Sequence, residues 1–348
     1  MVARLVPLAE VDDDLVAGWR ALGGNAFHGP DAVLASRDLD GAWEVSLLVV
    51  DGPDLVLPVH RVAGMRKVRV PALSTWTHDY CYLGDPVVRA GREQQAWTTA
   101  LAWLREHRPA PWLHLPRLAA HGPVFAGLLA ALTATGLQAV PLGAHERPVA
   151  RRRPEPTYLD GLVSGVHRKG FRRQRRVLER ELGAPVTTVT SYDVEPLLRL
   201  KAAGWKEASA LRTVPGAAEL ARRLVGSGAA HVAELRAGER VVAAQLQLVG
   251  GGTSSCVKTA YDEQLRRHSP GLLLELDVLE RFHDDLSVDV LDSCAAPGNP
   301  LAERLFPDRL PVVTLLVGLT APGRAVARAT PALAAGWSRL TGRPMEVP

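Results

Sequence analysis

The segment Tyr261-Asp262-Glu263-Gln264-Leu265-Arg266-Arg267-His268-Ser269-Pro270-Gly271 joins an apolar strand predicted over residues 254–260 to a helix predicted over residues 271–284. Ser269 suits the N-cap of that helix, and Pro270 suits its first turn because the fixed φ of proline is already helical. Gly271 lets another part of the chain approach closely. We call residues 261–271 the basic turn.

The basic turn has the chemistry of an anion site. A helix N-terminus presents free N–H groups and a partial positive charge, and two arginines lie beside this one. The segment therefore predicts a site for a pyrophosphate, formed by Arg266, Arg267, His268, Ser269, Gly271 and Leu272. An ordinary capped helix beside a solvated basic loop is the alternative interpretation.

Both halves of the chain repeat one order of predicted elements: helices, an antiparallel hairpin, a helix and a further strand. The matching hairpins begin near Trp43 and His231, and the matching helix–strand units begin near Gln95 and Gly271. The Pro- and Arg-rich stretch 146–156 is interpreted as the linker. We predict an α/β protein whose domains are residues 1–150, residues 151–320 and a helical tail over residues 321–348.

Composition leads us to expect a folded, cytoplasmic protein. Hydrophobic residues make up 47% of the 348 residues, which is enough for a sizeable core. We expect no signal peptide and no membrane span, and the three cysteines are scattered, as in a reduced protein. The net charge is +4, but only five of the 41 basic residues are lysine, so a GC-rich genome explains the charge as well as an anionic partner does.

Five segments together follow the pattern of a known family. They are His78-Asp79-Tyr80-Cys81-Tyr82-Leu83-Gly84-Asp85-Pro86, the Arg-rich stretch from His167 to Arg176, Gly204-Trp205-Lys206, Tyr261-Asp262 with Ser269-Pro270-Gly271-Leu272-Leu273-Leu274-Glu275, and Leu291-Asp292-Ser293-Cys294-Ala295. In this order they resemble the acetyltransferase domain of the CelD-like family, within the GNAT superfamily. The resemblance extends over residues 40–315.

The resemblance implies a tandem GNAT-like fold with two mixed sheets flanked by helices. GNAT proteins bind acyl-CoA in a splayed gap between two strands, and their pyrophosphate loop usually has the pattern Q/R-x-x-G-x-G/A. This chain has a shifted version of it, with Arg267 and Gly271 present and Leu273 in place of the second small residue. Related FemAB-type transferases use aminoacyl-tRNA on the same double fold, so the donor stays open between acyl-CoA, a carrier protein and tRNA.

Acyl transfer to an amine requires that the amine lose a proton and that the thioester carbonyl be polarised while the two are held in line. Asp292, at a predicted strand end, is the candidate general base or amine-positioning group, and a loop-capping aspartate is the alternative. Tyr261 and Asp262 are also candidate catalytic residues; either orients substrate or simply shapes the turn.

Three further residues are candidates for holding the acceptor. Trp205 and Lys206 belong to a helix expected to cover the acceptor cleft, where they would act by stacking and by charge. Lys258 lies on the strand before the basic turn. A plain core position for Trp205 and a solvated strand face for Lys258 are the alternatives.

A strongly basic helix is predicted over residues 160–182, and like charges at i,i+4 spacing on one helix repel. An anionic partner would relieve this repulsion, and the surface predicted to bind it comprises Arg168, Lys169, Arg172, Arg173 and Arg176. The candidate partners are a CoA phosphate, an acyl carrier protein, tRNA or an anionic polymer. A solvated helix face is the alternative.

The leading hypothesis is acyl transfer from a phosphopantetheine thioester, acetyl-CoA or another acyl-CoA, to an amine by direct attack. Aminoacyl transfer from tRNA and a non-catalytic module that binds an anionic partner are the alternatives. Cys294 has no motif that pairs it with a base, so a covalent intermediate is not expected. The eleven histidines lack metal-site spacing, so no metal is expected, and the protein is expected to be a monomer or a homodimer.

Overall fold

The computed structural model describes residues 2–63, 71–154, 165–203, 214–321, 323 and 325, without the side chains of Trp43 and residues 166–168. The described residues divide into two compact units. Those of the first unit fall within Met1–Val33, Gly41–Glu146 and Pro311–Pro348, and those of the second fall within Leu34–Asp40 and Arg147–Leu310.

The chain up to Arg151 alternates strands with helices. Its strands are β1 (Ala3–Pro7), β2 (Ser46–Val50), β3 (Leu55–Val62), β4 (Ala72–Thr75), β5 (Val87–Val88), β6 (Trp112–Ala119) and β7 (Ala139–Arg151). Its helices are α1 (Asp13–Arg20), α2 (Pro30–Ala35), α3 (Glu93–His107) and α4 (Gly122–Thr135).

The chain from Gly165 onward repeats this alternation. Its helices are α5 (Gly165–Leu182), α6 (Glu195–Ala203), α7 (Ala217–Gly226), α8 (Pro270–Arg281) and α9 (Pro300–Leu305). Its strands are β8 (Val186–Ser191), β9 (Ala230–Ala237), β10 (Arg240–Gly250), β11 (Thr253–Tyr261), β12 (Val290–Asp292) and β13 (Asp308–Gly318). Between β11 and α8, the residues Glu263–His268 form a 3-10 helix.

The two units share one internal arrangement. In the first, β2, β3 and β4 form an antiparallel meander, and β4 pairs in parallel with β6 after the chain has passed through α3. In the second, β9, β10 and β11 form the meander, and β11 pairs in parallel with β12 after α8. The repeated order of predicted elements therefore corresponds to a repeated topology.

Each unit has its own apolar core. In the first, Trp97, Leu101 and Leu104 recur at the i, i+4, i+7 spacing of one helix face and are fully buried in one cluster with strand residues. In the second, Leu274 and Val278 of α8 are buried in a cluster with strands β9 and β10. Burial of a large apolar side chain contributes roughly 1.5–3 kcal/mol, so these clusters hold each helix on its sheet.

Gly127 gives a testable packing prediction, because a Cβ at this position would lie 2.7 Å from the Cβ of Glu93 and 2.8 Å from the backbone nitrogen of Gln94. We expect Gly127→Ala to lower the free energy of unfolding by about 1–3 kcal/mol through overpacking of α3 against α4, measured by urea denaturation. Gly170→Ala is the matched control. Among the described atoms outside its own helix backbone and its chain neighbours, none lies within 4 Å of a Cβ there, so this variant should gain up to about 1 kcal/mol from helix propensity. An increase in the urea midpoint for both variants would contradict the packing argument.

Two sequence predictions about strands need correction. Residues 146–151 belong to β7, so the stretch interpreted as a linker begins as strand. Strand β13 pairs with β6 of the first unit, although it follows the second unit in sequence. Both differences arise because a strand's partner is chosen by tertiary packing and not by its own residue pattern. The predicted helical tail lies outside the described residues apart from residues 321, 323 and 325.

Candidate functional site

The parallel strands β11 and β12 separate soon after they meet. They pair only at Thr253–Val290, Ser254–Leu291 and Ser255–Asp292, whereas β11 continues for six more residues to Tyr261. The other edge of β11 stays paired with β10 as far as Tyr261. The second unit therefore contains a splayed pair of parallel strands, and the basic turn follows directly from the longer of the two.

Asp292 fixes the point at which β12 ends. Its Oδ1 accepts the N–H of Cys294 at 2.9 Å, and Cys294 adopts the left-handed conformation with φ +51°. Its Oδ2 lies 2.7 Å from the Arg147 guanidinium, and both side chains are only 4% exposed. Ser293 also donates its hydroxyl to the carbonyl of Pro148 on β7. The chain is thus turned away from β11, and the geometry of Asp292 is that of a positioning group with both oxygens engaged.

A β-bulge lies in the part of β11 beyond the last β12 pair. Cys256 is opposite Gln247 and Lys258 is opposite Leu246, so Val257 is the extra residue. Bulges bend a strand and redirect its side chains, and they are common next to functional sites. Lys258 follows the bulge directly and is half-buried, so its role at the acceptor site stays a prediction.

Two residues at the start of the basic turn shape it. Asp262 accepts the N–H of Gln264 at 3.0 Å through one carboxylate oxygen, and its other oxygen lies 2.6 Å from the guanidinium of Arg240. The Tyr261 ring lies 3.2 Å from the place of a Cβ on Gly271, so only glycine allows this approach without displacement. Burial raises the pKa of the Tyr261 hydroxyl.

The N-terminus of α8 differs in detail from the prediction. Ser269 occupies the N-cap position with φ +51°, and its side chain makes no capping hydrogen bond. Its carbonyl instead accepts the N–H groups of Leu272 at 3.0 Å and Leu273 at 3.1 Å. Pro270 stands at the first helical position as predicted. Among the residues that the structure describes, the N–H of Gly271 has no acceptor, so one amide of this helix end stays available to a ligand.

Two side chains of the basic turn, Arg267 and His268, already contact a carboxylate. Glu181 of α5 lies 2.5 Å from Arg267 Nη2 and 2.6 Å from His268 Nε2. The hydrogen bond from Arg267 lowers the pKa of Glu181 most, and the hydrogen bond with His268 lowers it further. Arg266 is exposed and forms no ion pair within the described part of the chain. Within the described residues, the basic turn therefore pairs Arg267 with Glu181 and leaves Arg266 without an ion pair.

Helix α5 carries five exposed cations on one face. At 100° per residue their positions fall within an arc of about 100°, and none forms an ion pair with another described residue. We call this set the basic stripe; it comprises Lys169, Arg172, Arg173, Arg176 and Arg180. Arg175, outside the arc, pairs with Asp277 of α8 and donates to the carbonyl of Val186 at 3.0 Å. The predicted neighbour Arg168 has a side chain outside the described set.

Comparison with known proteins identifies the fold. Residues 165–298 match the family model of the acetyltransferase (GNAT) domain. The chain has a GNAT-like fold. It is similar to the crystal structure of FemX, with a TM-score of 0.61 at 10% identity over 95% of this chain and 100% of that one. It is also similar to a conserved protein of unknown function from Bacteroides thetaiotaomicron VPI-5482, with a TM-score of 0.55 at 11% identity over 92% of this chain and 100% of that one.

At these identities the structural likeness shows the fold alone, and no curated protein matches the chain. In the part of the GNAT-like chain that the structure describes, no group of three His, Cys, Asp or Glu side chains is placed to hold a metal ion. No helix within the same residues is both long and apolar enough to cross a bilayer.

Trp205 and Lys206 lie outside the described residues, so their predicted contact with an acceptor stays a prediction. The two cysteines of the GNAT-like unit, Cys256 and Cys294, are buried, and neither is in a disulfide. Burial raises the pKa of the Cys256 thiol well above its ordinary value. A buried thiol that holds its proton is a poor nucleophile.

The buried carboxyl of Glu275, on the sheet-facing side of α8, was not among the sequence candidates. It accepts a hydrogen bond from Gln245 Nε2 at 2.7 Å, and burial raises its pKa to about 7. In a linear pattern a glutamate among leucines is expected on the exposed face. Its spacing could have indicated burial, because Glu275 is three residues before Val278 and seven before Phe282 and so lies on the same helix face as these two buried residues.

Proposed function

We propose that this protein transfers an acyl group from a phosphopantetheine thioester, acyl-CoA in the simplest case, to an amine. The observation that carries the proposal is the early separation of β11 and β12, followed by the basic turn and the N-terminus of α8. A gap between parallel strands accommodates an extended pantetheine chain, and a helix N-terminus beside arginine accommodates a diphosphate. The match of residues 165–298 to the acetyltransferase (GNAT) domain supports the same chemistry.

The donor phosphates are proposed to contact Arg266 and the Gly271 N–H. Arg266 is exposed and unpaired within the described residues, and Gly271 presents an amide without a described acceptor. Arg267 and His268 would join them by exchanging Glu181 for a phosphate oxygen. The Arg267–Glu181 ion pair is largely exposed and therefore weakly held, and a phosphate is an equivalent acceptor.

The transfer step needs no covalent enzyme intermediate. The neutral amine nitrogen attacks the thioester carbonyl carbon, the C–S bond breaks, and the departing thiolate receives the proton that the nitrogen loses. The contribution of the protein is to hold the two groups in line, which by itself provides much of the rate enhancement. We assign Asp292 a positioning role in this step, because its pair with Arg147 ends β12 and so sets the width of the gap. Membership of the CelD-like family, the acyl group and the acceptor amine stay predictions.

Donor binding gives the first test. We expect CoA and acetyl-CoA to raise the melting temperature saturably, and Arg266→Ala to weaken their binding roughly 10- to 100-fold, because a charge-assisted hydrogen bond is lost. Arg4→Ala is the control, since it removes an arginine that is also exposed, and that is paired with Asp51, from the first unit. The proposal fails if neither thioester nor free CoA binds, or if both variants bind alike.

Glu181 gives a second test in the opposite direction. If its carboxylate occupies the phosphate position, Glu181→Gln should strengthen CoA binding severalfold by leaving Arg267 and His268 available. The comparison is Glu239→Gln, which neutralises an exposed glutamate in the β9–β10 turn. Isothermal titration of each variant with CoA gives the measurement. Weaker binding of CoA to Glu181→Gln would mean that Glu181 orders the turn and does not compete with the donor.

The basic stripe favours aminoacyl transfer from tRNA as a second candidate. Five exposed cations without described carboxylate partners form a surface that attracts a polyanion. Gel-shift titration with bulk tRNA at rising salt tests it, using the triple variant Arg172→Gln, Arg173→Gln, Arg176→Gln against the wild type. Retention of tRNA at physiological salt, lost in the triple variant, would favour this donor over acyl-CoA. Binding without turnover of either donor would favour the non-catalytic module.

A further inference from the structure

The second unit contains a cavity of about 370 Å³ beside the C-terminal end of α8. The cavity is lined near the first residues of β11, at Ser254, whereas the basic turn follows the last residue of that strand. At about 3.3 Å per residue the two places are separated by roughly 20 Å along the strand. Its volume falls within the range of about 300–1,000 Å³ that is usual for small-molecule sites. The proposed acyl donor leaves this cavity unused.

The cavity has apolar side chains on part of its wall and charged side chains at its mouth. Val278, Phe282 and Leu291 contribute buried apolar surface. Arg281, Asp284 and Asp285 also line it, and all three are exposed. None of these three forms an ion pair with another described residue. One carboxylate oxygen of Asp285 accepts the N–H and the hydroxyl of Ser287. One mouth therefore offers a guanidinium and two carboxylates at the same time.

The side chains of His231, Gln247 and Ser254 line the cavity, and a hydrogen-bonded row of polar groups continues behind them to Gln245 and Glu275. His231 Nε2 lies 3.0 Å from Gln247 Oε1, which also accepts the hydroxyl of Ser254 at 3.3 Å. Gln247 Nε2 then donates to Gln245 Oε1 at 2.9 Å, and Gln245 donates to Glu275. Each amide of the row donates from its nitrogen to the next group, so the oxygen of Gln247 faces His231.

This row is costly to bury in place of apolar residues, and its members that line the cavity supply hydrogen-bonding groups beside the apolar side chains. Burial lowers the pKa of His231, so the imidazole is neutral at pH 7 and adds no second cation. The charged groups that a ligand meets at the entrance are therefore Arg281, Asp284 and Asp285. A ligand that satisfies them has one negative group, one positive group and an apolar body.

We propose that this cavity binds a small zwitterion with an apolar body, of which an α-amino acid with an apolar side chain is the simplest example. Arg281 takes the carboxylate, Asp284 or Asp285 takes the ammonium group, and the side chain packs against Val278 and Phe282. The site is independent of the proposed acyl transfer, because the groups that it uses lie at the other end of β11 and α8 from the basic turn.

Isothermal titration of the full chain, with no thioester present, tests the proposal. The probes are L-phenylalanine and L-leucine, with 2-phenylethylamine and 3-phenylpropionate as analogues of phenylalanine that each lack one charge. We expect saturable binding of at least one amino acid and binding of each analogue roughly 10-fold weaker or more. The single-charge analogues separate recognition of a zwitterion from general apolar binding.

Variants at the mouth complete the test. Arg281→Gln should weaken amino-acid binding roughly 10-fold or more without changing binding of 2-phenylethylamine, whereas Arg199→Gln, an exposed helix arginine of the same unit outside the cavity lining, should change neither. Asp284→Asn with Asp285→Asn should weaken the amino acid and leave 3-phenylpropionate unchanged. The proposal is overturned if neither amino acid binds at millimolar concentration, or if Arg281→Gln binds it as the wild type does.

Discussion

Asp292→Ala is expected to lower the free energy of unfolding by about 3–5 kcal/mol, because it leaves the Arg147 guanidinium buried without its carboxylate. The variant also removes the acceptor of the Cys294 N–H, which holds the left-handed turn after β12. Urea denaturation gives the measurement. The matched control is Glu195→Ala, which breaks an ion pair with Arg222 that is about half exposed, and it should cost no more than about 1 kcal/mol.

The double variant Arg147→Met with Asp292→Leu shows whether Asp292→Ala destabilises the protein through the unpaired buried charge or through the loss of side-chain volume. Replacing both charges with apolar side chains should restore much of the stability that Asp292→Ala loses. If Asp292→Ala destabilises the protein no more than Glu195→Ala, the pair is not the anchor of β12 that its geometry indicates.

The same residue separates a positioning role from general-base catalysis. Asp292→Asn keeps an oxygen that can accept the Cys294 N–H but cannot titrate. A positioning role predicts a lower kcat with an unchanged pH profile, whereas a general base predicts that the acidic limb of the profile disappears. The measurement is made at a temperature where the variant is folded.

The second large effect concerns Glu275. We expect Glu275→Gln to stabilise the protein at alkaline pH. Burial raises the pKa of Glu275 from 4.5 to about 7, so between these values the folded protein holds a proton that the unfolded chain has released. The contribution of this carboxyl to the free energy of unfolding is therefore fully present below about pH 4.5 and is lost as the pH rises through 7. The loss amounts to roughly 3 kcal/mol by pH 8.

Glu275→Gln removes the titration while keeping an oxygen for the Gln245 hydrogen bond. The difference in unfolding free energy between variant and wild type should grow from pH 5 to pH 8 in favour of the variant. Measuring the difference cancels the histidines, whose titration also changes stability in this range. Glu239→Gln, at an exposed turn, should show a constant difference, and a constant difference for Glu275→Gln as well would mean that the carboxyl is charged throughout.

Much of the fold could be predicted from the chain because it depends on local patterns. The hairpin of β9 and β10 turns at Ala237-Gly238-Glu239, and α8 begins at Pro270. Alternation within a strand, periodicity within a helix, and proline or glycine at their ends act over a few residues, so they can be recognised without knowing any partner. For that reason the repeated order of elements and the strand–turn–helix at residues 261–271 could be predicted from sequence.

The residues that set the site could not be predicted in this way. The sequence indicates Asp292 as a strand-end carboxylate that acts as a base, positions the amine or caps a loop, but it does not indicate the partner Arg147, which is 145 positions away in the chain. Arg267 resembled an unpaired cation, but Glu181 reaches it from α5, 86 positions earlier. Such pairs exist only once the helices and strands have packed, so no local pattern contains them.

The sequence alone indicated most of the helices and strands and their order, and that a cationic turn leads into the N-terminus of a helix, but it did not indicate β4 or β5. Tertiary structure alone decided that β11 and β12 separate after Ser255, that Glu275 is buried with a row of amides behind it, and that a cavity opens beside Arg281. The physical reason is range: backbone propensity acts between neighbours in the chain, whereas burial, ion pairing and cavity shape depend on side chains brought together by folding.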